Sequence, residues 1–274
     1  MRFDQHLHSR HSFDSQADPD ANVQRAIELG LNGLTFTEHF DTHPDERLLC
    51  RYDDARYSDD ITRLRRRYGH RLFIGKGIEI CYQPQNEGLI LDHLERYEFD
   101  LVLLSVHWTP CGPIHYRNCW EGIAPDVATR AYLETVLDAA RWAGRLAQKQ
   151  GRVFDVLGHM DLIRRYLHRY FKHDDPAEGA DLTDEILRAC LAADLIPELN
   201  TSTIRSGHGR LMPDAPVVAR YAELGGQAMV LGSDAHKPEH IAADFDAAVT
   251  TLQQNGIRRQ AVFRNRRRSL EMLT

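Results

Sequence analysis

The chain has no C-x-x-C pair, and its five cysteines (Cys50, Cys81, Cys111, Cys119 and Cys190) are odd in number and scattered. That excludes a disulfide framework and a zinc ribbon. No apolar run reaches the roughly 18 residues that a membrane span needs. The opening residues 1–6 lack the apolar region of a secretory signal. Basic residues are not in excess: 34 Lys and Arg stand against 40 Asp and Glu, a formal net charge of −6. The electrostatic basis for nonspecific nucleic-acid binding is therefore missing. Two local arginine clusters, at 63, 65, 66 and 67 and at 264, 266, 267 and 268, read as solvated helix faces. Low-complexity tracts and internal repeats are also absent. The expectation is a reduced, soluble, cytoplasmic enzyme or binding protein, without a membrane or nucleic-acid partner. With 274 residues, 42% hydrophobic and 27% charged, one globular domain over 1–274 is expected.

What is present is a repeat of strand-length apolar runs and helical segments. Strands are predicted at 2–6, 33–37, 72–80, 101–106, 153–157, 195–199 and 228–231. The helix at 19–29 opens with Asp18 as cap and Pro19 in its first turn, and stops at Gly30. Further helices are predicted at 53–68, 125–150, 182–193, 216–224 and 239–253. In 125–150, Val127, Ala131, Leu133, Val136, Leu137, Ala140 and Ala143 recur at helical spacing. Strands rich in Val, Ile and Leu between helices predict a parallel sheet. Seven such units in one domain favour a barrel over an open sheet. The connection 108–125, rich in Pro, Gly and aromatics, reads as a pocket wall or lid, or as a packed surface loop.

The chain also has 15 histidines, and their placement is not random. The predicted strands end in His6-x-His8, Glu38-His39, Gly77-x-Glu79, Ser105-x-His107, Gly158-His159-x-Asp161, Glu198-Leu199-Asn200 and Asp234-x-His236. Strand residues i and i+2 point the same way, so His6 and His8 can grip one ion. In a parallel barrel all these ends converge on one face, where chemistry is placed. Imidazole with carboxylate and no cysteine suits zinc, manganese or iron. Eight or nine donors exceed one ion, so two or three divalent ions are expected, with Glu79 as the bridge. Metals about 3.5–4 Å apart clamp the attacking and leaving oxygens of a phosphoester.

These residues resemble the PHP superfamily (polymerase and histidinol phosphatase). The matching motifs are His6-x-His8 with Ser12 and Asp14, Thr37-Glu38-His39, Gly77-x-Glu79, Ser105-x-His107, Gly158-His159-x-Asp161 and Gly232-Ser233-Asp234-Ala235-His236. Residues 158–166 and 198–202 look most like the histidinol-phosphatase branch. The resemblance implies a distorted (β/α)7 barrel and a trinuclear centre. One metal would take His6, His8, Glu79 and Asp234. A second would take Glu79, His107 and His159, and a third Asp14, His39 and His236. The implied reaction is hydrolysis of L-histidinol phosphate by a metal-bridged hydroxide.

Asp161 is the candidate general acid, or else a partner that orients His159. Arg164, Asn200 and Arg205 are the candidate phosphate-binding residues, with Arg164 preferred over Arg165. The alternatives are another small phosphate ester (sugar phosphate, nucleotide or cyclic phosphodiester), a non-catalytic metal-binding regulatory module, or a metal-dependent amidohydrolase. The fold alone does not separate these.

Overall fold

The computed structural model describes residues 1–43 and 53–274; Cys50 lies outside them. β1 (Phe3–Leu7) leads through α1 (Pro19–Glu28) to β2 (Gly33–Phe40), and α2 (Asp54–Tyr68) leads to β3 (Phe73–Cys81). α3 (Glu87–Arg96) precedes β4 (Leu101–Ser105), which runs into a small hairpin of β5 (Trp108–Thr109) and β6 (Gly112–Pro113). α4 (Pro125–Gln150) and β7 (Val156–Leu157) are followed by α5 (Ile163–Phe171), α6 (Ala180–Ala193) and β8 (Ile196–Asn200). Then come α7 (Ser202–Arg205), α8 (Ala215–Glu223), β9 (Ala228–Gly232), α9 (Phe245–Gln254), β10 (Arg259–Arg264) and β11 (Arg267–Met272).

One sheet takes the order β1-β2-β3-β4-β7-β8-β9-β10-β11. Its pairings are parallel from β1 to β10, and β11 returns antiparallel on β10. The sheet curls until β1 meets the chain leaving β9. His8 N donates to Ala235 O at 2.8 Å, and Asp234 N to His6 O at 2.7 Å. Below this closure a side chain spans the seam. Gln5 Nε2 donates to Ala261 O at 2.6 Å, and Gln5 Oε1 accepts from Phe263 N at 2.9 Å. β10 is thus inserted between β9 and β1 at the base. The fold is a distorted seven-stranded β/α barrel, closed by backbone at its C-terminal mouth and splayed below.

Strand alternation sorts the core into layers. Val102 and Leu104 face outward and pack with Tyr132, Val136 and Ala140 of α4, whereas Leu101 and Leu103 face inward with Val156, Ile196, Val230 and Phe263. The inner layer is an apolar floor, and polar side chains occupy the same strands above it. The connection 108–125 contributes to both core and cavity. His115 borders the cavity described below. Trp120 is fully buried, and its Nε1–H donates to Ile114 O at 2.9 Å. Trp120→Ala is expected to cost about 3–5 kcal/mol. Urea unfolding reads this directly, and a loss under about 1 kcal/mol would show that the loop is not anchored there.

Three local expectations change. The helix predicted at 239–253 starts only at Phe245, because Ala242 and Asp244 adopt φ of 50° and 62° and break the earlier turn. The arginines at 264–268 lie on a hairpin, not a helix. There Arg266 Nε donates to the buried Asp155 Oδ2 at 2.6 Å, and Arg268 Nη1 to Asp194 at 2.6 Å. α3, α5 and α7 are additional helices. The cluster at 63–67 does lie on α2, where Arg63 pairs with Asp60 at 2.8 Å. Among the described residues no helix is long and apolar enough to cross a membrane.

Candidate metal centre

Glu79 lies at the inner end of β3, fully buried. Its Oε1 is 3.2 Å from His107 Nε2 and 2.9 Å from His159 Nε2. Its Oε2 is 3.5 Å from His6 Nε2, 3.6 Å from His8 Nε2 and 2.9 Å from His39 Nδ1. Asp234 Oδ1 approaches the same pair from the end of β9, 3.9 Å from His6 Nε2 and 3.5 Å from His8 Nε2. On the outer side, Asp14 Oδ2 lies 3.4 Å from His39 Nε2 and 2.9 Å from His236 Nε2. The structure brings together all nine donors that the strand ends and motifs singled out.

The donor set fits metal ions. His6 Nε2, His8 Nε2, His39 Nδ1 and Glu79 Oε2 are buried without a hydrogen-bond partner. Each such atom costs about 1–3 kcal/mol if left alone, and all four face the same space. Triads such as His6–His8–Asp234, His6–Glu79–His159 and His39–Glu79–His107 place one donor atom each within 4.8 Å of the others. Imidazole and carboxylate donors suit zinc, manganese or iron.

The far nitrogens of four of the rings, His6, His8, His107 and His236, are held from behind, which aims the near ones inward. His6 Nδ1 meets Glu198 Oε1 at 2.7 Å. His8 Nδ1 meets Ser12 Oγ at 3.0 Å, and that hydroxyl donates onward to Glu38 at 2.5 Å while accepting from His39 N at 3.1 Å. His107 Nδ1 faces Asp41 Oδ1 at 3.4 Å, and His236 Nδ1 faces Asp234 O at 3.0 Å.

Burial opposes charge on Glu79, yet the imidazoles of His107, His6 and His39 outweigh it and hold the carboxyl well below its usual range. Burial also works against protonated His6, His39 and His107. Their carboxylate neighbours prevail and raise all three well above the ordinary imidazole value. His8 differs: burial, with His39 and His236 beside it, lowers it to about 3. It stays neutral and ready to ligate. Metal binding must displace protons from the raised imidazoles. Affinity is therefore expected to fall as pH drops, beginning above the ordinary histidine value of about 6.5. Equilibrium dialysis between about pH 8 and 6 measures this, and a flat affinity across that range would contradict it.

A cavity of about 300 Å³ opens over the cluster. Besides the ligands, it is bordered by Phe13, Asp41, His115, Leu162, Arg165 and Tyr166. Arg165 donates to Ser202 Oγ, and its Nη2 lies 3.4 Å from Asp234 Oδ2.

Four expected residues sit elsewhere. Arg164 turns to the carbonyls of Asp175, Pro176 and Glu178, at 2.7, 3.2 and 3.2 Å. Asp161 does not border the cavity; it is buried toward Arg164, whose Nε is 3.8 Å away, and burial raises its carboxyl to about 7. Direct proton delivery to a leaving group would need Asp161 at the cavity wall. Asn200 lies one layer down, donating to Glu198 Oε1 at 3.2 Å and accepting from Ser202 N at 2.9 Å. Arg205 donates to the Asp234 carbonyl at 2.6 Å and also lies off the cavity wall.

Glu198 and Asp41 were not singled out as site residues, although simple signals mark them. Glu198 is two residues before Asn200 on one strand, and Asp41 is two residues after His39.

The PHP domain family model matches residues 4–202. A histidinol-phosphatase of Lactococcus lactis subsp. lactis is 27% identical over 273 residues, covering 96% of this chain and 94% of its own. A relative in Thermotoga maritima, named a probable histidinol-phosphatase, is 28% identical over 252 residues, 92% of this chain and 91% of its own. The crystal structure of histidinol phosphate phosphatase from Lactococcus lactis, complexed with zinc, L-histidinol and phosphate, superposes with a TM-score of 0.82 at 23% identity over 98% of both chains. At that identity the likeness is one of fold. With its model spanning most of the chain and its motif residues meeting at one barrel mouth, this chain belongs to the PHP domain family.

Proposed function

We propose that this protein is a metal-dependent phosphomonoesterase that converts L-histidinol phosphate to L-histidinol and phosphate. The observation that carries the reaction class is Glu79, set among five imidazoles whose inward nitrogens lie 2.9–3.6 Å from its oxygens. The substrate is supported by the full-length relatives named histidinol-phosphatase and by the fold shared with the Lactococcus enzyme that holds zinc, L-histidinol and phosphate.

Following the grouping that the family resemblance implies, we assign the donors to three sets that would hold up to three ions of zinc, manganese or iron. His6, His8, Glu79 and Asp234 form the first. Glu79, His107 and His159 form the second, and Asp14, His39 and His236 the third. When bound, such ions supply positive charge for the phosphoryl oxygens and make water acidic enough to ionise near neutral pH. The protein's own groups do the rest. Arg165 presents a planar cation at the cavity wall, where it pairs with phosphoryl oxygens as charge develops on them. Its tie to Asp234 holds that cation beside the first donor group. Phe13, Leu162 and Tyr166 give an apolar wall that packs the organic part of the ester and keeps bulk water out. A cavity of about 300 Å³ suits a small ester.

The test is a panel of phosphoesters offered to the metal-loaded protein. Histidinol phosphate should exceed sugar phosphates, nucleotides and cyclic diesters in kcat/KM by at least about tenfold, the equivalent of 1.4 kcal/mol in transition-state binding. Poor turnover of histidinol phosphate beside efficient turnover of another ester would reassign the substrate. Bound metal with no ester cleaved would remove the enzyme reading.

A further inference from the structure

We infer that Glu198 is a positioning residue that holds the two metal positions sharing Glu79 in register, an inference that rests on the metal-dependent reading above. Glu198 lies on β8 with no exposed surface. Its Oε1 faces His6 Nδ1 at 2.7 Å and accepts from Asn200 Nδ2 at 3.2 Å. Its Oε2 accepts from His159 N at 2.7 Å. In the assignment proposed above, His6 and His159 would serve different ions. Glu79 spans the same two residues from inside, Oε2 toward His6 and Oε1 toward His159. Two carboxylates therefore bracket the pair, Glu79 facing their inward Nε2 atoms and Glu198 lying behind them.

The surrounding chain is cut to fit this side chain. A Cβ at Gly232 would penetrate Glu198 Oε1 and fall 2.6 Å from His6 Cβ. A Cβ at Gly158 would clash with Leu103 Cδ2 at 2.5 Å, whereas its 3.6 Å approach to Glu198 Oε2 is ordinary contact. Glycine at 232 thus leaves the room on the β9 side that Glu198 occupies. A buried carboxylate is costly unless its oxygens are satisfied, and here all three partners present N–H groups. A carboxylate on the far nitrogen fixes the imidazole tautomer, leaves the Nε2 lone pair inward and strengthens it as a donor.

Glutamine cannot replace it. Oε1 receives two donors and Oε2 receives one, so either orientation of an amide sets its NH2 against an N–H. If that NH2 faces His6, the ring can accept at Nδ1 only by carrying its proton on Nε2, the atom that must hold metal.

Glu198→Gln, loaded with Mn²⁺ or Zn²⁺ against a competing chelator, tests this with metal content as the readout. Wild type should retain two or three ions. The variant should bind the ions beside His6 and His159 about 10–100-fold more weakly, with the position formed by Asp14, His39 and His236 unchanged, as judged by anomalous peaks at each position. Uniform loss at all three positions marks a merely structural role and overturns the inference. So does wild-type affinity throughout. Should Glu198→Gln fail to fold, Asn200→Asp sets a carboxylate against Glu198 Oε1 in place of a donor. The same position-selective weakening is then expected, and unchanged binding overturns the proposal. Wild type that binds no ions at all would instead overturn the metal reading itself.

Discussion

Glu79→Gln is expected to remove at least two bound ions and to lower kcat by roughly 10²–10³ or more, the scale seen when a preorganised electrostatic group is lost. The reason is positional. Glu79 is the shared member of the first two donor groups, and its Oε2 also lies 2.9 Å from His39 of the third. An amide keeps the shape and loses the negative charge that draws cations together against their mutual repulsion. It also sets an NH2 against imidazole nitrogens that must stay unprotonated to ligate. Metal analysis of the purified variant, followed by steady-state kinetics, measures both effects. Near-normal hydrolysis with full metal content would refute the bridging role.

Arg165→Lys is the second large effect. Charge-assisted hydrogen bonds are worth about 1.5–3 kcal/mol, so kcat/KM should fall about 10–100-fold with metal content unchanged. Lysine keeps the charge, yet it lacks the planar fork that can hold Ser202, Asp234 and a phosphoryl oxygen at once. Arg164→Lys is the control, because that guanidinium is committed to the carbonyls of the 175–178 turn. Its kinetics should stay within about twofold of wild type. A reversal of the two outcomes would return the anion site to Arg164.

The cluster of donor residues was legible because two simple periodicities coincide. Alternation along a strand sets His6 and His8 on one side, and parallel strands deliver their ends to one mouth. Donor chemistry then singles out the residues without tertiary detail. Arg164 and Arg165 show where that stops. They are adjacent near the start of α5, where one residue means a rotation of about 100°. Leu162 provides no side-chain cap to mark the helix phase, so only packing decides which arginine faces the cavity.

Glu198 illustrates a different limit. Its strand-end position was visible, but its contacts are with His6 from β1 and with the chain beyond β7, which the sequence does not place beside it. The hairpin of β10 and β11 was hidden by composition. Its two-residue turn is Asn265–Arg266, with φ of 48° and 63°. That is the left-handed pair that Asn-Gly marks more plainly. Arginine in the second place, among further arginines, reads as a basic surface run. The barrel strands themselves were placed to within a few residues, because apolar runs bounded by helical segments leave few alternatives.

Anomalous diffraction from a crystal of the metal-loaded protein with phosphate bound is the most direct measurement. Two or three peaks should surround Glu79, within coordination distance of His6, His8, His39, His107, His159 and His236, with phosphate reaching Arg165. A mouth without ordered metal under saturating zinc or manganese, or ions bound only at surface carboxylates, would contradict the account.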